Sequence, residues 1–320
     1  MHYDIFNGDA DGLCALIQLR LAKPLVATLI TGIKRDIQLL KKITAGEGDS
    51  LTVLDISLDK NSDALQQFLT AGATVFYADH HQADHCPTHK NLTALIDTDA
   101  NTCTSLIVNK YLNGQYPLWA IVAAFGDNLY AAAETLASSL GLNHDARQQL
   151  KKLGLYINYN AYGGCIEDLH FKPEYLYEIM RHYSSPLTLI DANAVIFNQL
   201  EQGYQQDLAK ALAIKTEYEN EKVAVYILDD AVWARRVNGV FANNLANQHP
   251  DKAHAIITYT QADDYQVSVR APLNNKINAD ILCAAFPTGG GRKGAAGINH
   301  LAKNQLSVFI EEFSSIYTDI

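Results

Sequence analysis

Short β-branched and apolar runs alternate with amphipathic stretches over the first hundred positions of the chain. The pattern predicts strands at 3–7, 25–30, 51–56, 74–78 and 94–96, separated by helices at 13–21, 33–43 and 61–71. Each intervening stretch is as long as a crossover helix, so the strands are expected to run parallel with helices on both faces of the sheet. From 102 to about 159 the pattern is helical throughout, with segments at 118–129, 131–140 and 145–156 that should pack on that sheet. Residues 198–221, rich in Gln, Glu, Lys and Ala, read as one more helix, either a semi-rigid connector or a surface helix of one domain. Strands at 223–228, 253–259 and 265–271 follow, with helices near 279–285 and 304–315. The expected fold class is therefore α/β in two domains. A doubly wound parallel sheet with flanking helices occupies 1–190, a helical linker 191–222, and a smaller mixed α/β domain 223–320, set across a cleft from the first.

Composition agrees with this picture and narrows the partners. A length of 320 residues is about twice that of a common single domain, and 48% hydrophobic with 19% charged residues is the make-up of an ordinary globular protein. The formal charge of −10 argues against gripping a long polyanion along a basic track, but permits a small or end-bound anionic substrate. Five widely spaced cysteines, Cys14, Cys86, Cys103, Cys165 and Cys283, form no C-x-x-C pair. Neither a disulfide partner nor a thiolate zinc site is expected, and reduced thiols point to a cytoplasmic protein. The N-terminus has no signal-peptide pattern and no apolar run approaches the roughly 18 residues of a membrane span, so no membrane partner is expected. The sequence leaves a homodimer open.

Candidate chemistry gathers where the expected strands end. Asp9 and Asp11 lie in Asn7-Gly-Asp-Ala-Asp-Gly12, Asp55 follows Leu51-Thr-Val-Leu, and Asp79-His80-His81 follows Val75-Phe-Tyr-Ala. In an open parallel sheet ligands bind outside the carboxyl ends of the strands, so these segments can converge on one crevice. Asp127 stands in an otherwise apolar helical run, 118–129, and needs a partner if buried. Taken singly, Asp-Gly after a strand is a turn or helix cap, and a lone His is a structural polar residue. Acidic residues at three successive strand ends beside paired histidines are a poor way to build turns. Five carboxylates in one crevice, with no Lys or Arg in these segments to offset them, call for two divalent cations. Mixed carboxylate and imidazole donors favour Mn²⁺, with Mg²⁺, Co²⁺ or Fe²⁺ as alternatives. Two such ions about 4 Å apart activate a water and stabilise a leaving oxygen, which is the logic of phosphoester hydrolysis.

These motifs resemble the DHH phosphoesterases, a family named for the triplet seen here as Asp79-His80-His81. Asn7-Gly-Asp-Ala-Asp-Gly12 is similar to the family's first motif, Leu54-Asp-Ile-Ser57 to its second and Gly126-Asp-Asn128 to its fourth. Val267-Ser-Val-Arg270 and Gly289-Gly-Gly-Arg-Lys-Gly-Ala-Ala-Gly297 resemble the DHH-associated C-terminal domain, which binds the rest of the substrate. The resemblance implies that Asp55 bridges two metals, that Asp11, His80 and Asp127 complete one, and that Asp9 holds the other. It further implies that Asp79 orients a histidine and that His81 faces the attacking water or the scissile phosphate. Two positions depart from the pattern. Nanoribonuclease-like members have a histidine where this chain has Ile5, and RecJ-like exonucleases an aspartate where it has Asn7, leaving Asn7 as a weak, uncharged ligand.

The expected substrate contacts are Arg270, Gly289, Gly290, Gly291, Arg292, Gly297, Thr102 and Thr104. Residues 289–297 read either as a flexible turn or as a Gly-rich loop whose backbone N–H groups approach a phosphate; they are not a Walker A loop. Arg292 stands where the family usually has histidine and can fork onto phosphate or stack on a base. Thr102 and Thr104 resemble the family's Ser/Thr-rich segment, with helix capping as the plain alternative. The resemblance implies a metal-dependent phosphodiesterase or exonuclease that converts short oligonucleotides or dinucleotides to mononucleotides. The alternatives are a RecJ-like single-strand DNA exonuclease and a nucleotide-binding regulator whose metal site has decayed.

Overall fold

The computed structural model describes residues 1–260 and 262–318. They divide into two compact units, one of Met1–Ala161 with Leu169–Glu201, the other of Tyr162–Asp168 with Gln202–Ile320. No helix among the described residues is long and apolar enough to cross a membrane.

The first unit is built on strands β1 (His2–Phe6), β2 (Thr28–Ile30), β3 (Ser50–Leu54), β4 (Thr74–Asp79) and β5 (Leu92–Ile96). They pair in the order β2-β1-β3-β4-β5, every pair parallel. In this doubly wound order the chain leaves β1 towards opposite edges of the sheet, which opens a crevice beyond the carboxyl ends of β1 and β3. Alternation along the strands feeds two cores. Phe6, Leu54 and Ala78 join helix α1 (Ala10–Ala22) on one face, while Ile5, Val53 and Tyr77 join α2 (Leu58–Thr70) on the other. Helix α1 carries no clean polar stripe because it lies in the middle of its layer. Every residue from Ala10 to Leu19 is buried, beneath α3 (Thr104–Tyr111) and α4 (Pro117–Gly126). Helices α5 (Tyr130–Ser139), α6 (His144–Ala161), α7 (Pro173–Met180) and α8 (Pro186–Ala192) complete this side.

Helix α9 (Ala194–Leu212) leads to a six-stranded mixed sheet of order β10-β11-β9-β8-β7-β6. Its strands are β6 (Tyr218–Glu219), β7 (Val223–Ile227), β8 (Ala253–Tyr259), β9 (Tyr265–Arg270), β10 (Gly289–Arg292) and β11 (Ala295–Leu301). Helix α10 (Val232–Gln248) packs on β8 and β9, α11 (Ala279–Ala284) on β10 and β11, and α12 (Leu306–Thr318) against β7.

Three local expectations are corrected. Residues 33–43 are not a helix but an irregular segment with one 3₁₀ turn at Leu39–Lys42. The Asn61 side chain takes over backbone groups that a helix would pair internally, donating to the Ile37 carbonyl (2.6 Å) and accepting from the Leu40 N–H (3.2 Å). The helix expected at 198–221 ends at Leu212, because Tyr218–Glu219 pairs with β7 instead. The glycines of 289–291 form no loop: Gly289–Arg292 is an edge strand antiparallel to β11.

Candidate metal centre

The carboxyl ends of β1, β3 and β4 deliver their motifs side by side. Asp9 caps α1, its Oδ1 accepting the N–H groups of Asp11 (3.0 Å) and Gly12 (3.1 Å). Asp55 follows β3 with φ +58, a left-handed backbone that an aspartate adopts only at some cost, and it is buried. Asp79 ends β4, and His80 and His81 come directly after it. Asp127 arrives from another layer, at the end of α4, where its own N–H closes on the Ala123 carbonyl (2.9 Å) and Asn128 turns the chain at φ +61.

His80 is the hub. Its Nδ1 pairs with the Thr102 carbonyl oxygen (3.0 Å), so that nitrogen carries a proton and Nε2 is the ring atom turned to the carboxylates. Around Nε2 stand Asp55 Oδ1 at 3.4 Å, Asp127 Oδ2 at 3.6 Å and Asp11 Oδ2 at 3.8 Å. Ligand atoms about 2.1 Å from one ion lie roughly 3.0–3.5 Å from one another, so this set needs little closure to hold a divalent cation. Two overlapping groups of donors meet here, Asp11 with His80 and Asp127, and Asp55 with His80 and His81. The electrostatics make the same demand. Burial, reinforced by Asp9 and Asp11, pushes the Asp55 carboxyl well above its ordinary value, and burial likewise raises that of Asp11. Carboxylates packed this way stay ionised only beside cations.

Supporting groups surround the donors. Both oxygens of Asp11 accept backbone N–H groups at the start of α3, from Ser105 and Thr104 at 2.7 Å each. Thr104 is fully buried and turns its hydroxyl to Asp55 Oδ1 (3.4 Å), so it steadies carboxylates from behind, a role the sequence reading did not give it. Asp79 Oδ1 holds His81 Nδ1 at 2.7 Å. Burial works to lower the His81 pKa, but the Asp79 charge and this hydrogen bond leave it raised. The imidazole is partly exposed, and its Nε2 has no hydrogen-bond partner among the described residues.

Three functional groups escaped the sequence reading. Lys34 enters from the irregular segment after β2, its Nζ paired with Asp9, 3.1 Å from Asn158 Oδ1 and 3.5 Å from Asp127 Oδ1. The carboxylates therefore do have a basic neighbour, hidden because 33–43 scans as an amphipathic helix. Asn158 comes from α6, and Ser105 also gives its hydroxyl to the Asp11 carbonyl (2.8 Å). The Asn7 amide is engaged with backbone, accepting from the Asp9 N–H (3.3 Å) and donating to the Lys34 carbonyl (3.1 Å).

In the second unit Ala295 is the register partner of both Arg270 and Arg292. Directly opposed residues share a face, so the two arginines project together, two strands and about 10 Å apart. Arg270 Nε donates to Asn243 Oδ1 (2.6 Å) and an Nη to the Val269 carbonyl (3.0 Å). Gly290 opposes Gly297, and no atom lies within 4 Å of where a Gly290 side chain would begin, while Gly291 has φ +146.

Solved structures share this fold over the length of the chain. The exonuclease RecJ bound to manganese matches the whole of this chain and 90% of its own at TM-score 0.62 and 14% identity. The chain shares the fold of RecJ. RecJ in complex with Mn²⁺ from Thermus thermophilus also matches the whole chain at 0.62 and 16% identity, but this chain spans only 52% of that one. The pGpG-specific phosphodiesterase PggH from Vibrio cholerae matches over 98% of this chain and 99% of its own, at TM-score 0.56 and 13% identity. No protein-family description and no curated protein matches the chain by sequence.

Proposed function

We propose that the chain is a metal-dependent phosphodiesterase or exonuclease, with Mn²⁺ as its ion, that cleaves dinucleotides or short oligonucleotides to mononucleotides. The observation that carries the reading is the convergence of Asp11, Asp55 and Asp127 oxygens on His80 Nε2, beside a His81 held by Asp79. Asp11, Asp55, His80 and Asp127 would hold the ion. A divalent ion held there would supply water activation and charge neutralisation at a phosphoryl oxygen. The chain's own residues do the rest. Asp79 fixes the His81 ring and favours its charged form, so His81 Nε2 can donate to a phosphoryl oxygen or to the departing oxygen. The α3 amides and Thr104 hold Asp11 and Asp55 in place while charge builds up in front of them.

We take the first unit as the catalytic one and the second as the substrate-binding one, with Arg270 and Arg292 receiving phosphate or base. Short substrates are favoured by the formal charge of −10 and by the likeness over nearly the full length of both chains to a pGpG-specific phosphodiesterase. The test is hydrolysis of 5′-phosphorylated dinucleotides and oligonucleotides up to about twenty residues with added Mn²⁺. Mononucleotide release should disappear on chelation and in Asp55→Ala. Turnover that survives either treatment would overturn the reading.

A further inference from the structure

Lys34 sits where a second cation would be expected. Its Nζ is bracketed by oxygens from three separate elements: Asp9 at the cap of α1, Asn158 on α6 and Asp127 at the end of α4. We propose that Lys34 replaces one of the two ions, so that the centre binds a single divalent cation beside a built-in ammonium. This rests on the metal-dependent reading above and changes its ion count from two to one.

The donor sets fall on one side of the site: both groups able to hold an ion contain His80, and Asp9 belongs to neither. Asp9 is otherwise engaged, with Oδ1 on two amides and Oδ2 on the lysine. The Asn7 amide donates to the Lys34 carbonyl, which a carboxylate at position 7 could not do, so the residue that withholds a charge from an ion also fastens the lysine backbone. That backbone is fixed again by the Lys34 N–H on the Ala161 carbonyl (2.9 Å). It is also brought near by a contact only glycine permits, since a Cβ at Gly8 would lie 2.1 Å from the Gly32 carbonyl oxygen.

Ile5 completes the pattern, being fully buried in the apolar core and offering nothing to a metal. Asp127 then takes the bridging part, with Oδ1 towards Lys34 and Oδ2 towards His80. An ammonium and a divalent ion on the same oxygens repel each other, so the lysine excludes a second ion without needing to fill the whole space. Unlike a weakly held ion it is tethered to the chain and cannot dissociate from it.

Mn²⁺ stoichiometry tests this without reference to turnover. The full-length protein, dialysed against Mn²⁺, is expected to retain one ion per chain with the electron paramagnetic resonance spectrum of an isolated Mn²⁺. In Lys34→Met combined with Asn7→Asp, a second ion should bind at least tenfold more tightly than in the parent, and the spectrum should become that of an exchange-coupled pair. Two coupled ions in the unaltered protein would overturn the proposal and leave the metal-dependent reading intact. Absence of any retained Mn²⁺ would overturn both. The parent measurement decides even if the double variant does not fold.

Discussion

Arg20, in the last turn of α1, pairs with Asp4, midway along β1. Asp4 is 1% exposed, yet Arg20 Nε donates to it at 2.8 Å while an Nη reaches both Asp4 and Thr52. Burial alone would raise the Asp4 pKa, but the guanidinium reverses that and holds it low. Removing one partner strands the other charge, so Arg20→Met should destabilise the protein by about 3–5 kcal/mol, read as a lower denaturation midpoint. A change under about 1 kcal/mol would mean that water or His2 takes over the pairing. His254 makes the opposite case. It is 1% exposed on β8, its Nδ1 has no hydrogen-bond partner among the described residues, and burial, with His249 and Lys252 near, lowers its pKa to about 4. Between pH 6.5 and about 4 the unfolded chain binds a proton here that the folded chain refuses, so stability falls as pH falls through that window. The cost is on the order of 3 kcal/mol below pH 4. His254→Leu should lose less stability than the parent from pH 7 to pH 4, and parallel curves would show that His254 titrates normally.

At the scale of elements, the crossing of α4 over α6 sets the position of two groups in the site. A Cβ at Gly154 would lie 2.1 Å from the Val122 carbonyl oxygen and 2.9 Å from the Gly126 nitrogen, both backbone atoms that cannot swing aside. Asp127 follows Gly126 directly, and Asn158 lies one turn beyond Gly154. Gly154→Ala should therefore push the helices apart, cost about 1–3 kcal/mol and weaken Mn²⁺ retention, because Asp127 moves with the end of α4. Unaltered metal affinity alongside lowered stability would show that the loop after Gly126 absorbs the shift. Helix α10 is instructive for another reason. Its Asn-rich sequence, interrupted by Gly239, is a poor helix former, and no helix was expected there, but it buries Val237, Val240 and Phe241 together with Asn238. Tertiary packing supplies the stability that local propensity does not.

For the molecule as a whole, charge and the arginine pair bear on substrate length. A protein of formal charge −10 repels a long polyanion beyond the reach of its local cations, so a short substrate depends on few contacts and loses much when one is removed. Arg292→Ala should weaken dinucleotide use by one to two decades in kcat/KM, equivalent to a charge-assisted bond of roughly 1.5–3 kcal/mol, while Mn²⁺ retention is unchanged. An unchanged kcat/KM would exclude Arg292 from substrate binding, and lost Mn²⁺ would assign it to the metal centre.

The parallel sheet and the residues at its strand ends were legible in the sequence for a physical reason: alternation and chain reversals are local, and each motif sits within a few residues of the strand that aims it. Asp9, Asp55 and Asp79 could be placed at one edge from the strand pattern alone, because parallel strands necessarily end on the same side. Lys34, Asn158 and the α3 amides could not. Their part depends on long-range approach: Asn61 unpicks the helix that 33–43 would otherwise form, Gly8 admits the Gly32 carbonyl, and α6 crosses close enough to offer Asn158. The glycines at 289–291 were legible as unusual but not as a strand, since pairing with β11 is decided by the partner and not by their own propensity. Sequence alone thus placed acids at the strand ends; tertiary contact decided which cation stands among them, because a lysine's charge counts only where the fold brings it.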